Sequence, residues 1–95
     1  MVSFIVRYRF ASEDRAEAVE AARQLAAASR QEPGCITYCP CQIEDDPDTL
    51  LILEQYADEK ALSEHRASEH FKQYAIGVLA QRMKDRAVEN LMALA

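Results

Sequence analysis

The sequence predicts one α+β domain over residues 1–95, a ferredoxin-like βαββαβ sandwich in which helices cover one face of a four-stranded antiparallel sheet. Three observations support this prediction. An alternating apolar stretch opens the chain, an Ala-rich stretch with helical spacing follows it, and the central segment TLLILEQY is apolar at nearly every position. A chain of 95 residues has room for a single domain.

The first half of the chain predicts a strand, a helix and a second strand. The first strand has apolar residues at every second position, namely Val2, Phe4, Val6, Tyr8 and Phe10. Ser12 is a suitable N-cap for a helix that runs to about Gln31 and ends before Pro33-Gly34. The segment CITYCPCQI (35–43) predicts a second strand, and Pro40 places it at the sheet edge or at a bulge.

The second half predicts two further strands around a broken helix. EDDPD (44–48) is the expected turn, TLLILEQY (49–56) the third strand and AVENLMAL (87–94) the fourth. We expect Asp58 to cap a short helix through His65, and Ser68 to cap a second one. The second helix has an apolar stripe formed by Phe71, Ala75, Val78, Leu79 and Met83.

The third strand predicts an interface, because it is apolar on both faces. One face carries Leu51, Leu53 and Gln55, and the other carries Leu50, Ile52, Glu54 and Tyr56. Helices can cover only one of these faces, so the other needs a partner. The simplest partner is a second copy related by a two-fold axis, and we therefore expect a homodimer.

Charge and composition argue against two classes of partner. The formal net charge is -5 and the basic residues are scattered, which argues against nucleic acid and against anionic membranes. No apolar run approaches the roughly 20 residues of a membrane span. The N-terminal segment MVSFIVRYRF lacks the features of a signal peptide. We expect a cytoplasmic protein.

The cysteines and the acidic turn do not predict a metal site. Cys35, Cys39 and Cys41 are odd in number and close together, so they are no disulfide framework, and in a regular strand all three point to one face. A zinc site needs about four ligands, and no fourth stands nearby in sequence. The turn at 44–48 lacks the pattern of a calcium loop. We expect small buried side chains, no metal and no cofactor.

The segment from residue 32 to residue 74 resembles the antibiotic biosynthesis monooxygenase family. Members share a Glu-x-Gly-Cys-like start to the second strand, an Asp-Pro turn and a third strand ending in Glu-x-Trp/Tyr. They also share the motifs Asp-x-x-Ala-Leu-x-x-His and Ser-x-His-Phe. The matching positions here are Pro33-Gly34-Cys35, Asp46-Pro47, Glu54, Tyr56, Asp58, Ala61-Leu62, His65 and Ser68-x-His70-Phe71.

The resemblance implies a dimeric α+β barrel, in which two ferredoxin-like protomers join sheet to sheet, with a pocket in each protomer between sheet and helices. The family's reactions include cofactor-independent oxygenation of quinols and aromatic polyketides, haem degradation, and isomerisation of a small phosphorylated dicarbonyl compound. Haem-degrading relatives use an Asn on the first strand and a Trp on the third. Haem degradation is disfavoured here, because the only Asn is Asn90 and there is no Trp.

Oxygenation without metal or flavin requires a base, a dry cavity and donors that stabilise a substrate anion. The candidate catalytic residues are His65, His70 and Glu54, since histidine suits the base role and a carboxylate on an apolar strand face is expected to pair with one of the two rings. The candidate substrate-binding residues are Tyr56, Tyr38 and Phe71. Each of the six also fits a purely structural role at a helix end or in the core.

The sequence thus leaves three functions open. The leading one is a homodimeric, cofactor-independent monooxygenase that acts on a quinol or related aromatic or polyketide substrate. The second is an isomerase of a small dicarbonyl compound that uses the same base without oxygen. The third is a ligand-binding dimer without catalytic activity, in which both histidines are structural.

Overall fold

The computed structural model describes residues 1–95 and contains a four-stranded antiparallel sheet with strand order β2-β3-β1-β4. Helices cover one face of this sheet, so the predicted ferredoxin-like α+β sandwich is confirmed. In chain order the elements are β1 (Val2–Arg9), a 3-10 turn (Ser12–Asp14), α1 (Arg15–Ser29), β2 (Cys35–Ile43), β3 (Asp46–Tyr56), α2 (Glu59–Ala67), a π-helix (Phe71–Leu79), α3 (Ala80–Arg82) and β4 (Asp85–Leu91).

The inner face of the sheet, which the helices cover, is built mainly by alternate residues of β1 and β3. Val6 lies opposite Ile52 and Tyr8 opposite Leu50, and all four side chains are buried. Successive strand residues point to opposite faces. The outer face of β3 therefore carries Leu51, Leu53 and Gln55, which are only partly buried. The predicted assignment of the β3 side chains to two faces is confirmed.

Helix α1 packs on the sheet through small side chains. It ends at Ser29, before Pro33-Gly34 as predicted. Ser12 does not cap it; Ser12 begins the 3-10 turn and donates a hydrogen bond to Asp48 at 2.8 Å, and the α-helix starts at Arg15, two residues later than an N-cap at Ser12 predicts. The buried residues of α1 follow helical spacing and are Ala18, Ala21, Ala22, Leu25, Ala26 and Ser29.

β2 is an edge strand with the predicted bounds, which agrees with the presence of Pro40. The prediction that all three cysteines share one face is wrong, because the register shifts between Cys35 and Thr37. Such a bulge interrupts the alternation of side chains. Cys35 consequently packs against the core, whereas Cys39 and Cys41 lie on the outer face with their Sγ atoms 3.7 Å apart.

Two strand boundaries differ from the prediction. The turn between β2 and β3 is shorter than 44–48, because Asp46 already pairs with Ile43. β4 is Asp85–Leu91 rather than 87–94. It begins earlier because Asp85 pairs with Arg9 of β1. It ends earlier because β1 has almost no residues left to pair beyond Leu91, which lies opposite Ser3.

Two helical segments, separated at Ser68, cover the inner face near the end of β3. Asp58 caps α2 as predicted and accepts a hydrogen bond from the Ala61 N–H at 2.8 Å. α2 continues to Ala67, two residues beyond the expected end. Gly34 lies against this helix so closely that a β-carbon there would come within 2.4 Å of the Ala61 Cβ.

The segment after Ser68 is π-helical over Phe71–Leu79, where the sequence predicts an α-helix. In a π-helix each N–H binds the carbonyl five residues back, and the N–H of Ala80 accordingly donates to the carbonyl of Ala75. A turn of a π-helix contains more residues than a turn of an α-helix, so residues four positions apart lie on the same side of this helix. Ala75 and Leu79 are buried against the sheet, and Phe71 is partly buried beside them.

The outer face of the sheet and the whole of β4 remain uncovered. Every residue of β4 is exposed. Leu91 is 42% exposed, and beyond it Met92 is 85% and Leu94 97% exposed. No helix in the structure combines the length and the apolar character needed to cross a membrane.

Candidate active site

Glu54 is an acidic residue on the apolar inner face of the sheet. It lies between Phe4 of β1 and Tyr38 of β2 and is 6% exposed. The Tyr56 hydroxyl donates a hydrogen bond to its Oε1 at 2.6 Å. Burial raises the pKa of Glu54 to about 7, although the Tyr56 hydrogen bond acts in the opposite direction. Near neutral pH this carboxyl group therefore exists in both protonation states.

His65 occupies the last turn of α2, with its ring against the same part of the sheet. The residue is 1% exposed, and its ring centroid lies 5.1 Å from that of Tyr56, 5.6 Å from that of Tyr38 and 5.3 Å from that of Phe71. Burial lowers the pKa of His65 below the ordinary value of an imidazole, despite a hydrogen bond to Glu32 that acts to raise it. The ring is therefore neutral near pH 7.

Glu32, in the connection between α1 and β2, fixes which nitrogen of His65 carries the proton. Its Oε2 lies 2.8 Å from Nδ1 of His65. Because a carboxylate can only accept, Nδ1 carries the proton and donates it. The free lone pair is then on Nε2, which is buried without a hydrogen-bond partner and lies 3.8 Å from Oε1 of Glu54. Such a nitrogen can accept a proton from a bound molecule.

His70 is a second imidazole on the same carboxylate, with its Nε2 2.5 Å from Oε2 of Glu32. The break at Ser68 makes this possible. The Ser68 hydroxyl donates to the carbonyl of His65 at 2.6 Å and accepts from the N–H of Phe71 at 3.2 Å, so one helix ends where the next begins. Two histidines five residues apart would diverge on a continuous helix. Here they converge on one carboxylate.

The same three side chains are the group best placed to hold a metal ion. One ligand atom from each of Glu32, His65 and His70 lies within 4.8 Å of the others. Two imidazoles and a carboxylate suit several divalent first-row metals. Two ligands at about 2.0–2.1 Å from an ion and at right angles would be about 3 Å apart. The 2.8 Å separation of Nδ1 of His65 from Oε2 fits either arrangement, whereas the 2.5 Å separation of Nε2 of His70 from Oε2 is that of a short hydrogen bond.

A cavity of about 290 Å³ lies between the sheet and the π-helix, and His65 and Glu54 both contribute to its wall. Most of the wall is apolar and includes Phe4, Val6, Phe71, Ala75 and Met83. Tyr8 and Tyr38 also line it, and burial raises the pKa of both phenols, so both remain protonated donors at neutral pH. The remaining charged residues of the wall are Arg66 and Arg86.

The six residues singled out from the sequence occupy three kinds of position. Four of them line the cavity, namely Glu54, His65, Tyr38 and Phe71. Tyr56 lies behind Glu54 as its hydrogen-bond donor. His70 lies outside the cavity wall and contacts Glu32. The hydrogen-bond partner of Glu54 is thus a tyrosine, and the carboxylate that holds both histidines is Glu32.

Sequence reasoning did not single out Glu32, Arg66 or Arg86. Glu32 is the first residue of the Glu-x-Gly-Cys-like motif, which was a usable signal. Its contact with His65, 33 positions later, depends on how α2 folds back over the start of β2. The two arginines belong to a scattered set of basic residues, and no spacing marks them.

Comparison with known proteins identifies relatives of the whole fold. A family model for antibiotic biosynthesis monooxygenases matches residues 1–75. The search of curated proteins found no significant match. Among solved structures, the chain is similar to an antibiotic biosynthesis monooxygenase at 26% identity and a TM-score of 0.91, with both chains covered completely.

Two further solved structures have comparable similarity. One is a conserved protein of unknown function from Bacteroides thetaiotaomicron, described as a possible oxidoreductase, at 29% identity and a TM-score of 0.87 over 95% of this chain and 94% of that one. The other is a protein from Pseudomonas aeruginosa, at 28% identity and a TM-score of 0.90 over 99% of this chain and 94% of that one. These similarities extend over the elements that form the cavity.

Proposed function

We propose that this chain, which belongs to the antibiotic biosynthesis monooxygenase family, is a cofactor-independent monooxygenase that acts on a quinol or a related aromatic substrate. The observation that carries the proposal is the state of His65. Its Nε2 is buried without a partner, its Nδ1 is held by Glu32, and its ring lines an apolar cavity. A neutral imidazole held in this way is suited to remove a proton from a substrate hydroxyl.

Proton removal makes the substrate its own reductant. A phenolate transfers an electron to O2 far more readily than the phenol, and the resulting substrate radical and superoxide combine to form a carbon–oxygen bond. Breakage of the oxygen–oxygen bond then leaves one oxygen atom on the ring and releases the other as water. A hydroquinone is thereby converted into a hydroxyquinone, with all electrons supplied by the substrate. The protein contributes the base, the exclusion of water and the stabilisation of the anion.

Glu54 is placed to stabilise that anion. With a pKa of about 7, a substantial fraction of it is protonated near neutral pH, and this form can donate a hydrogen bond into the cavity. Tyr56 fixes the orientation of this carboxyl group. Tyr38 supplies a further hydroxyl, and Phe71 packs edge-on against His65 as part of the wall. In this proposal His70 acts through Glu32 and does not touch the substrate.

The size of the cavity favours a small substrate. Its volume of about 290 Å³ lies at the lower limit of the roughly 300–1,000 Å³ found for ligand pockets. A quinol of one or two rings fits such a volume better than a large polycyclic polyketide. An apolar wall with a few converging polar groups is also what a flat aromatic ring requires.

Isomerisation of a small dicarbonyl compound is the second candidate, and the pairing of His65 with Glu54 is the observation that favours it. Nε2 of His65 and Oε1 of Glu54 are 3.8 Å apart. Two groups at this distance could remove a proton from one atom of a bound substrate and return it to another. This reaction needs no oxygen, which separates it from the first candidate by experiment.

We further propose that the protein works as a homodimer. The outer face of β3 presents Leu51 and Leu53, and the C-terminal residues Met92 and Leu94 are exposed beside the uncovered β4. Apolar surface of this extent on a small domain is typical of an interface. Packing of two outer faces would leave both cavities accessible, because each cavity lies on the opposite side of its sheet.

The decisive experiment measures oxygen uptake by the metal-free protein with a series of substituted hydroquinones. We expect uptake that falls by about 10²–10⁴-fold in His65→Gln, since a general base contributes an acceleration of this size. Glu32→Gln should lose activity as well, whereas Glu64→Gln, an exposed acid in the same helix as His65, serves as the matched control and should not. Turnover of dicarbonyl compounds under argon would favour the isomerase. No turnover of either class by the folded protein would favour a ligand-binding role.

A further inference from the structure

Two arginines that line the cavity have no acidic partner. Arg66 lies in the last turn of α2 and Arg86 on β4, and neither forms an ion pair. Several other basic side chains have carboxylate partners, as in Arg9–Asp85 at 2.6 Å and Arg82–Glu17 at 2.8 Å, whereas Arg30 donates to the Tyr38 carbonyl instead. The chain has a net charge of -5, so acidic groups are in excess. Two guanidinium groups without a carboxylate partner therefore lie at the wall of one cavity, although acidic residues outnumber basic ones.

Both charges act on the reacting groups. Arg86 lies opposite Tyr8 in the sheet, with its Cζ 5.8 Å from the centroid of that ring. Arg66 follows His65 directly in the helix. Both arginines line the same cavity as Glu54, and their positive charges act to lower the pKa of this carboxyl group. Any molecule bound there experiences the same field.

The proposal concerns the group that neutralises these charges. We propose that Arg66 and Arg86 form an anion subsite at the mouth of the cavity, so that the substrate is an aromatic compound with a ring carboxylate. The identity of the aromatic ring rests on the proposed function, and the subsite adds the charged group. A guanidinium matches a carboxylate through two parallel hydrogen bonds, and two of them can hold one carboxylate at a fixed distance from His65.

The division of the cavity supports this arrangement. Both arginines are exposed, so they can keep their hydration until a ligand arrives. The inner wall, formed by residues such as Phe4, Val6 and Ala75, is apolar and suits the ring. A ring held with its carboxylate at the arginines would direct its hydroxyl groups inward, toward His65 and Glu54. The positive field would also favour loss of the hydroxyl proton.

The test compares two probes that differ by one carboxylate, hydroquinone and gentisate, in isothermal titration with the full chain. We expect gentisate to bind more tightly, and Arg66→Gln and Arg86→Gln each to weaken its binding by about ten-fold, because each removes a charge-assisted hydrogen bond to the carboxylate. Hydroquinone binding should change by less than about two-fold. Arg23→Gln removes the same charge from the exposed surface of α1 and is the matched control.

Salt and turnover complete the test. Raising the salt concentration from about 0.05 M to about 0.5 M should weaken gentisate binding and spare hydroquinone. Equal affinity for both probes, or a gentisate preference that survives both substitutions, would overturn the anion subsite. Oxygen uptake with hydroquinone, without an arginine-dependent preference for gentisate, would contradict the subsite and leave the monooxygenase proposal intact. Arginine-dependent binding of gentisate without oxygen uptake would support the subsite and contradict the monooxygenase proposal.

Discussion

Among single residues, burial reverses the usual order in which an imidazole and a carboxyl group lose their protons. Burial lowers the pKa of His65 and raises that of Glu54 to about 7. Between the two pKa values the imidazole is therefore mostly unprotonated while the carboxyl group mostly keeps its proton. His65 and Glu54, 3.8 Å apart and in these protonation states, are the base and the acid of the proposed reaction.

This reversal predicts a bell-shaped dependence of kcat/KM on pH. Activity should rise as His65 loses its proton, which occurs below the ordinary imidazole value because the pKa of His65 is lowered. It should fall as Glu54 loses its proton, near pH 7. Glu54→Gln keeps a hydrogen-bond donor but cannot ionise, so this variant should lose the falling limb. The measurement is oxygen uptake across the pH range, corrected for uncatalysed oxidation of the substrate; an unchanged falling limb in Glu54→Gln would assign it to another group.

Sequence pattern placed Glu54 and His65 correctly on their elements, because strand alternation and a helix cap are local properties. It could not identify Glu32 as the partner of His65. That hydrogen bond joins a connecting segment to a helix 33 positions away and depends on tertiary packing. The arginines were missed for a related reason, since β4 brings Arg86 to the cavity only by pairing with β1.

At the scale of elements, the close approach of the start of β2 to α2 positions His65 and Glu32 of the proposed site. Gly34 follows Glu32 by two residues. The N–H of Ala57 donates a hydrogen bond to the carbonyl of Gly34 at 2.9 Å. The absence of a side chain at Gly34 allows α2 to lie near enough for His65 to reach Glu32. The φ angle of Gly34 is not positive, so its backbone conformation does not require glycine. The lack of room for a β-carbon beside Ala61 does.

Gly34→Ala should therefore destabilise the protein and disturb the site. The new methyl group would meet the Ala61 Cβ at 2.4 Å, so the helix must shift, and overpacking of this kind costs about 1–3 kcal/mol. Chemical denaturation gives the free energy of unfolding. Gly77→Ala is the matched control, because its nearest contact would be the Lys72 carbonyl at 3.2 Å and the required shift is small. Equal effects at both positions would refute the packing account.

The elements themselves were largely predictable, and the differences have local causes. β2 has its predicted bounds because Pro33-Gly34 precedes it and a turn follows it. The π-helix was not foreseen, because its apolar residues Phe71, Ala75 and Leu79 also fit an α-helical stripe. An apolar residue at every fourth position does not distinguish the two helix types.

At the scale of the whole molecule, the fold separates two surfaces with different roles. The helix-covered face encloses the cavity, and the outer face presents a partly buried apolar surface around Leu53. Two-sided hydrophobicity in β3 already predicted this division from the sequence. The pattern predicts that this outer face is covered, and a second copy of the chain is the partner that we propose.

Charge on the outer face should separate the proposed dimer. Leu53→Lys places an ammonium group in the middle of that face, where dimer formation would bury it without a partner. Analytical ultracentrifugation at micromolar concentration should show a dimer for the parent and a monomer for this variant. Gln73→Lys adds the same charge on the exposed side of the π-helix and should leave the dimer unchanged. A monomeric parent would end the proposal.

The protonation of one ring tests the whole account most directly, and it requires no knowledge of the substrate. ¹⁵N NMR distinguishes protonated from unprotonated imidazole nitrogens, and the chain has only two histidines, so a His70→Gln variant assigns the signals. We predict that near neutral pH the His65 ring is neutral, with the proton on Nδ1 and a free lone pair on Nε2. A ring protonated on both nitrogens, or with its proton on Nε2, would contradict the assignment of His65 as the base.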